Sequence, residues 1–292
     1  MLNLIIWLKP RGLDHILNGI APKEAKEYKG WVQNYIAQRL QLHETEKFKE
    51  GQRQDMFWFL KNAKNEDGTP AFTDHELGGE AHTFIIAGSD TAAMALAATI
   101  FYLTCNSDPY KRVVQEVLSK FSSPEEITSG PQLLSCVYLR ACIDETMRLS
   151  PSLPSDLPRK VLPGGAIIDN EYYPQDTIVA SSNWVAGYND EVYGDAEVFR
   201  PERWIPDEKT GVTREDVQVL RANFHPFAQG PGSCPGQNMA ILELLLAVAR
   251  TLHRFEVRRA PGCEGGGVYQ IRDSFIAARD GPMVQFKRRV GG

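Results

Sequence analysis

The chain has 292 residues, 42% of them hydrophobic and 24% charged, with a formal net charge of −5 at pH 7. That length and balance allow a sizeable core in one large domain or two small ones, as in ordinary soluble globular proteins. The acidic balance offers no basic surface for nucleic acid. The five scattered cysteines, Cys105, Cys136, Cys142, Cys234 and Cys263, lack CxxC spacing and indicate neither a zinc site nor a disulfide framework.

The start, Met1 to Trp7, is apolar, but Lys9, Pro10 and Arg11 interrupt it. It is too short to span a bilayer and lacks the layout of a signal peptide, so no transmembrane segment is expected in this chain. Residues from about Ala21 to Asn65 read as helical, with Trp31, Tyr35, Ile36 and Leu40 at helical spacing. The charges from Lys23 to Lys29 and from Glu44 to Glu50 read as a solvated face. After a loop at Asn65-Glu66-Asp67-Gly68-Thr69-Pro70, Thr73 caps a new helix and Glu76 completes a capping box.

That helix runs long, to about Leu103. Its apolar length fits a membrane span, but Asp90 would lie near mid-membrane at a cost of roughly 2.5–3.5 kcal/mol. A helix buried at the centre of a large domain is therefore expected. Gly88 and Asp90 are both unfavourable inside such a helix. Two readings of Ala87-Gly88-Ser89-Asp90-Thr91 follow: a locally opened stretch, or a close helix crossing at Gly88 with Asp90 satisfied by a neighbour.

Further helices are predicted from Pro109 to Lys120 and from Gln132 to Leu149. Glu145 and Arg148 share a face of the latter at i and i+3; as a surface pair they would contribute under about 1 kcal/mol. Short apolar runs at Ala166-Ile167-Ile168, Tyr172-Tyr173 and Thr177-Ile178-Val179-Ala180, punctuated by Asp169-Asn170 and Pro174, suggest small strands. A helix is predicted from about Gln237 to Leu252. In the tail, runs from Phe275 to Ala278 and from Met283 to Phe286 read as a hairpin turning at Asp280-Gly281-Pro282. The sum is a mostly α fold with small β-sheets (α+β), without internal repeats.

The loop Pro226-Phe227-Ala228-Gln229-Gly230-Pro231-Gly232-Ser233-Cys234-Pro235-Gly236 sets three glycines around one cysteine, just before a helix. Glycines permit positive φ and let backbone amides approach the sulfur, and the positive end of the helix favours a thiolate. A free buried cysteine beside a flexible loop accounts for the same residues.

Four segments decide by their order. Ala87-Gly88-Ser89-Asp90-Thr91, Glu145-Thr146-Met147-Arg148, Phe199-Arg200-Pro201-Glu202-Arg203-Trp204 and the Phe-x-x-Gly…Cys-x-Gly loop succeed one another as the signatures of the cytochrome P-450 family do. The chain resembles that family from about Leu13 onward, with a finer likeness to filamentous-fungal members of secondary metabolism. The resemblance implies a single partial cytochrome P-450 domain, residues 1–72 forming a helical N-terminal part and 73–292 a heme-binding core. It implies heme b with Cys234 as axial thiolate, electrons from NADPH through NADPH–cytochrome P-450 reductase, and insertion of one oxygen atom from O2 into a small apolar substrate.

By the same resemblance, Asp90 and Thr91 are catalytic residues managing water and proton delivery, and Ala87 and Gly88 let the helix pass close to the heme. Glu145, Arg148 and Arg203 form a buried ion-pair cluster, and Arg159 binds a heme propionate. Phe227, Gly230 and Gly236 belong to the cofactor loop. Phe84, Ile85 and Ala87 are apolar pocket candidates. Two positions depart from the pattern: Ala228 is unusual, and Gly232 stands where the family usually has a basic residue contacting a propionate. His225 is a nearby substitute cation. The family's N-terminal segment, with its membrane anchor, has no counterpart here. Family likeness implies the cytosolic face of the endoplasmic reticulum membrane, and the cytoplasm is the alternative for a chain without the anchor. The alternatives are a non-catalytic or truncated fragment that binds heme poorly or not at all, and an unrelated helical interaction protein.

Overall fold

The computed structural model describes residues 19, 21–45, 55–263 and 266–289, without the side chains of 42–45. The expectations for Met1 to Trp7, and for the side chains from Glu44 to Glu50, lie outside the described residues. The chain divides into two compact units, Met1–Ala87 and Gly88–Gly292.

In the first unit, α1 spans Lys23–Thr45 and α2 Met56–Asn62. The side chains from Lys23 to Lys29 are all exposed, as a solvated face requires. Of the apolar residues at helical spacing, Trp31 and Tyr35 are also exposed, with ring centroids 5.0 Å apart, and Val32 is the buried one. Asp55 caps α2 by accepting the Trp58 amide at 2.8 Å, and it pairs with Arg39 at 2.8 Å. The loop before α3 closes on Asp67, which accepts the amide of Thr69. The capping box forms as predicted: the Thr73 amide donates to Glu76 at 2.8 Å, and the Glu76 amide donates to the Thr73 hydroxyl at 3.3 Å.

Helix α3, Asp74–Cys105, starts at that box and runs without a break through Gly88 and Asp90, so no local opening occurs. By length and composition it could cross a membrane, yet only 33% of its most apolar stretch is buried. Its C-terminal half is a core helix, contributing the buried Met94, Ala98, Ile100, Phe101, Tyr102 and Leu103. Ala87, Gly88, Ser89 and Asp90 are exposed. The expectation of a buried helix is thus met at Leu77 and from Met94 onward.

The second unit is built around α6, Val137–Leu149, which is buried on every side from residue 141 to 149. Helix α4, Ser107–Lys120, packs on it through Val113, Val114 and Val117, and α10, Gln237–Arg254, through Leu244, Leu245, Val248 and Leu252. Each fully buried leucine of this kind contributes roughly 1.5–3 kcal/mol of transfer free energy. The single helix predicted from Gln132 to Leu149 is two, α5 (Pro131–Leu134) and α6, because the chain turns at Ser135 and Cys136.

Two-stranded antiparallel ladders edge this core. Strand β1 (Arg159–Lys160) pairs with β4 (Ile178–Val179), and β2 (Ala166–Ile168) with β3 (Glu171–Tyr173). Asp169 and Asn170 join the latter pair with φ of 51° and 63°, the two-residue turn whose twist matches the strands. The short helices α7 (Asn183–Gly187) and α8 (Asp190–Tyr193) follow, then a 3-10 turn at Pro201–Trp204 and α9 at Arg214–Ala222. The predicted tail hairpin is absent. Strand β8 (Val284–Arg288) pairs with β5 (Phe255–Arg259), and β7 (Ala278–Arg279) with β6 (Ile271–Arg272). The longer β5 lies directly after α10 and offers five residue pairs, so it takes the partner that a local turn would otherwise have claimed.

Candidate functional site

The cysteine loop is shaped by its backbone. The Ala228 amide donates to the His225 carbonyl at 3.0 Å, which turns the chain with Ala228 at φ +57°. Gly230 follows at φ +70° and opens a 3-10 turn, Gly230–Gly232, closed by the Ser233 amide on the Gly230 carbonyl at 3.0 Å. The Cys234 amide then donates to the Phe227 carbonyl at 2.9 Å. Phe227 itself is half-buried against the main core and anchors the loop. Cys234 is exposed, not the buried thiol of the blander reading. A Cβ on Gly236 would sit 3.7 Å from its sulfur, so glycine there leaves that flank of the thiol uncovered. Helix α10 begins at the next residue, with its unsatisfied amides at the cysteine end.

In the second unit a charge cluster is centred on Glu145, whose side chain is fully buried. One carboxylate oxygen accepts Arg148 Nη2 at 2.8 Å, the Arg200 amide at 2.9 Å and Arg203 Nε at 3.0 Å. The other accepts Arg148 Nε and Trp204 Nε1, both at 2.9 Å. The remaining guanidinium donors of Arg148 reach the carbonyls of Gly187, Ala196 and Val198; those of Arg203 reach Tyr193, Asp195 and Val198. The predicted trio of Glu145, Arg148 and Arg203 therefore comes together, with Trp204 and Arg200 added. Asp144, next in sequence and fully buried, forms a second cluster with Arg140 at 3.0 Å and Arg221 at 2.7 Å. The i, i+4 spacing of Arg140 and Asp144 signalled half of that pairing; nothing in the sequence signalled Arg221.

On α3, Asp90 is exposed and has no partner among the described residues. A Cβ on Gly88 would meet nothing within 4 Å, so the close helix crossing does not occur. Thr91 is half-buried, and its carbonyl accepts the Ser152 hydroxyl at 2.9 Å. Ser152, which no sequence signal picked out, also accepts the Ala277 amide at 2.9 Å and so ties α3 to the tail.

Arg159 opens β1, opposite Val179, and is exposed. Its Nη1 donates to the carbonyl of Pro158 at 2.9 Å, and it forms no ion pair among the described residues. Its Nη2 lies 3.3 Å from where a Cβ on Gly232 would stand. His225, the substitute cation, instead shares a 2.9 Å hydrogen bond with Gln229 through Nδ1.

The family model for cytochrome P-450 matches residues 6–265. The chain belongs to the cytochrome P-450 family. Among its relatives is the cytochrome P-450 monooxygenase apf7 of Gibberella fujikuroi, 36% identical over 99% of this chain and 56% of its own length. The monooxygenase apf8 of the same organism is 40% identical over 80% of this chain and 66% of its length. The monooxygenase poxM of Penicillium oxalicum is 38% identical over 81% and 44%. The chain thus spans between 44% and 66% of the length of these relatives. A crystal structure of a cytochrome P-450 superposes with a TM-score of 0.73 at 23% identity, over 90% of this chain and 56% of that one, which establishes the fold.

Heme is the cofactor this family implies, and the donor set fits it. Cys234, an exposed thiol just before a helix N-terminus, is of the kind that can ligate iron. A planar guanidinium without a carboxylate partner, Arg159, matches a propionate. Among the described residues no cluster of three or more His, Cys, Asp or Glu side chains offers a different metal site.

Proposed function

We propose that the protein is a heme-thiolate monooxygenase acting on a small apolar substrate in secondary metabolism, with Cys234 as axial ligand and electrons from NADPH through NADPH–cytochrome P-450 reductase. The observation that carries this reading is the exposed Cys234 thiol, set by the Phe227–Gly236 loop against the N-terminus of α10. When bound, the heme supplies the oxygen-activating redox chemistry. The chain's own residues do the rest. The loop backbone fixes the sulfur: the Cys234 amide is held by the Phe227 carbonyl, and Gly236 keeps the sulfur's flank clear. Arg159 provides the charge-assisted bonds that orient a propionate.

Asp90, exposed and without a partner among the described residues, can exchange a proton with water, and the Thr91 hydroxyl, one residue on, can relay it. Ser152 holds the backbone from which Thr91 projects. Ala87 and Gly88 present no bulk on that stretch of α3, which is where an apolar substrate and a flat cofactor need room. The working place of such an enzyme is the cytosolic face of the endoplasmic reticulum membrane, next to its reductase.

The test is the carbon-monoxide difference spectrum of the reduced chain after expression with added hemin. A Soret band at the long-wavelength position of thiolate-ligated heme is expected, absent in Cys234→Ala. A band at the imidazole-like position, or no heme, would replace this reading with that of a non-catalytic fragment.

A further inference from the structure

Helix α4 carries two rows of side chains along one side. Tyr110, Val114 and Leu118 recur every fourth residue as an apolar row, and Lys111, Gln115 and Ser119 run beside it as a polar one. Both rows line a groove of about 530 Å³, whose far wall is Glu256 of β5 and Arg289, one residue past β8. That volume lies in the range of small-molecule sites. None of the lining residues belongs to the cysteine loop or to the charge clusters of Glu145 and Asp144.

The two ends of the groove offer different chemistry. At one end the Tyr110 hydroxyl oxygen accepts the Val257 amide at 2.9 Å and Arg289 Nη2 at 3.5 Å. Those contacts use the oxygen's two lone pairs and leave its O–H proton to donate. Arg289 is half-buried and fixed, its amide on the Arg254 carbonyl and its Nε on the Leu252 carbonyl, both at 2.9 Å. Among the described residues no carboxylate pairs with it. The other end, eight residues or about 12 Å along α4, is apolar: Leu118 is 42% exposed beside the buried Val114.

We propose that this groove binds a small amphipathic carboxylate, an aliphatic or aryl acid. Its head sits on the Arg289 guanidinium and the Tyr110 O–H, with Lys111 adding positive charge, and its apolar body lies along Val114 and Leu118. The head is a single anion because of Glu256. That acid is held by Arg258 Nε at 2.9 Å and leaves Arg289 available, but its charge beside the same end disfavours a dianion such as a phosphate ester.

The experiment titrates decanoate into the full chain and follows the backbone amides by NMR, with 1-decanol and decyl phosphate as comparisons. Decanoate is expected to shift the amides of residues 110–119 and of Val257, whose acceptor is the Tyr110 oxygen. Decanol, which lacks the charge, should bind about tenfold more weakly, the scale of one charge-assisted hydrogen bond. Leu118→Asp, at an exposed position, should keep the urea midpoint of the wild type and lose decanoate binding. Arg289→Met should weaken decanoate about tenfold and bring it level with decanol.

Shifts confined to other residues, equal binding of decanol, or unchanged decanoate binding by a folded Leu118→Asp chain would overturn the proposal. Tighter binding of decyl phosphate than of decanoate would overturn the carboxylate as ligand. If Arg289→Met lowers the urea midpoint, Leu118→Asp and the decanol comparison decide alone. None of these readouts involves iron, so their failure leaves the carbon-monoxide test of the heme-thiolate reading standing by itself.

Discussion

Replacing Glu145 with glutamine keeps the shape of the side chain and removes its charge. Five donors converge on this carboxylate: two from Arg148, one each from Arg203 and Trp204, and the amide of Arg200. An amide group presents one oxygen and one NH2. Even in its better orientation, with NH2 toward Arg148 Nε and Trp204 Nε1, two buried donors face a donor. Of the guanidiniums of Arg148 and Arg203, 0% and 2% exposed, only that of Arg203 would keep a carboxylate, Asp195 at 3.3 Å, which is itself 39% exposed and already paired with Arg200 at 3.0 Å. An uncompensated buried charge of this kind costs about 3–5 kcal/mol.

Set against a total stability of about 5–15 kcal/mol, that is a large fraction. With a urea slope of about 2–3 kcal/mol/M for a chain of this size, the midpoint should fall by about 1–2 M. Far-ultraviolet circular dichroism across a urea series measures it. A fall below about 0.3 M, under 1 kcal/mol on the same slope, would refute the reasoning, because it would mean that water reaches the cluster and screens it as at a surface.

Three further outcomes follow from single sites. Ala228 sits in the left-handed region at φ +57°, so Ala228→Gly should raise stability by about 1 kcal/mol, read from the same urea midpoint. Cys234→Ala should leave apo stability within about 0.5 kcal/mol, since the thiol is exposed, while abolishing the thiolate band. Burial, and then the like charge of Glu116, push the Cys136 thiol up to about 11 from 9.0. The folded state therefore holds that proton more tightly, so stability is intact below pH 9 and declines as pH rises toward 11. Cys136→Ala should flatten the decline in a pH series of urea midpoints.

The sequence made legible what depends on local rules. The Thr73–Glu76 box needs two residues three apart, and the Asp169-Asn170 turn needs two residues tolerant of positive φ; both were visible as strings. What failed depended on distant partners. The tail hairpin looked local, but Val284–Arg288 found a longer strand at Phe255–Arg259. The long apolar helix looked buried, yet Gly88 and Asp90 are exposed, and apart from Leu77 its buried residues begin at Met94. In the site, the ordered motifs pointed to Glu145, Arg148 and Arg203, whose side chains the structure brings together. Ser152, Arg221 and the approach of Arg159 to Gly232 carried no signature; each is a contact across 60 or more positions, set by packing rather than by spacing.

The adjacent carboxylates Asp144 and Glu145 explain how one helix supports the cysteine loop. Successive residues point about 100° apart around a helix, and since α6 is buried on every side here, both directions meet protein. Glu145 binds the turn Pro201–Trp204, and Asp144 binds Arg221 in the last turn of α9. Those two attachments converge, because the Arg221 guanidinium lies 4.7 Å over the Trp204 ring and Trp204 lies 4.8 Å from Phe224. Phe224 is three residues from Phe227, whose carbonyl holds the Cys234 amide. The two buried charges therefore meet at Trp204 and Phe224, on the chain segment that leads into the loop. Loosening Glu145 should free Trp204, then Phe224, and so reach the sulfur without any direct contact with it.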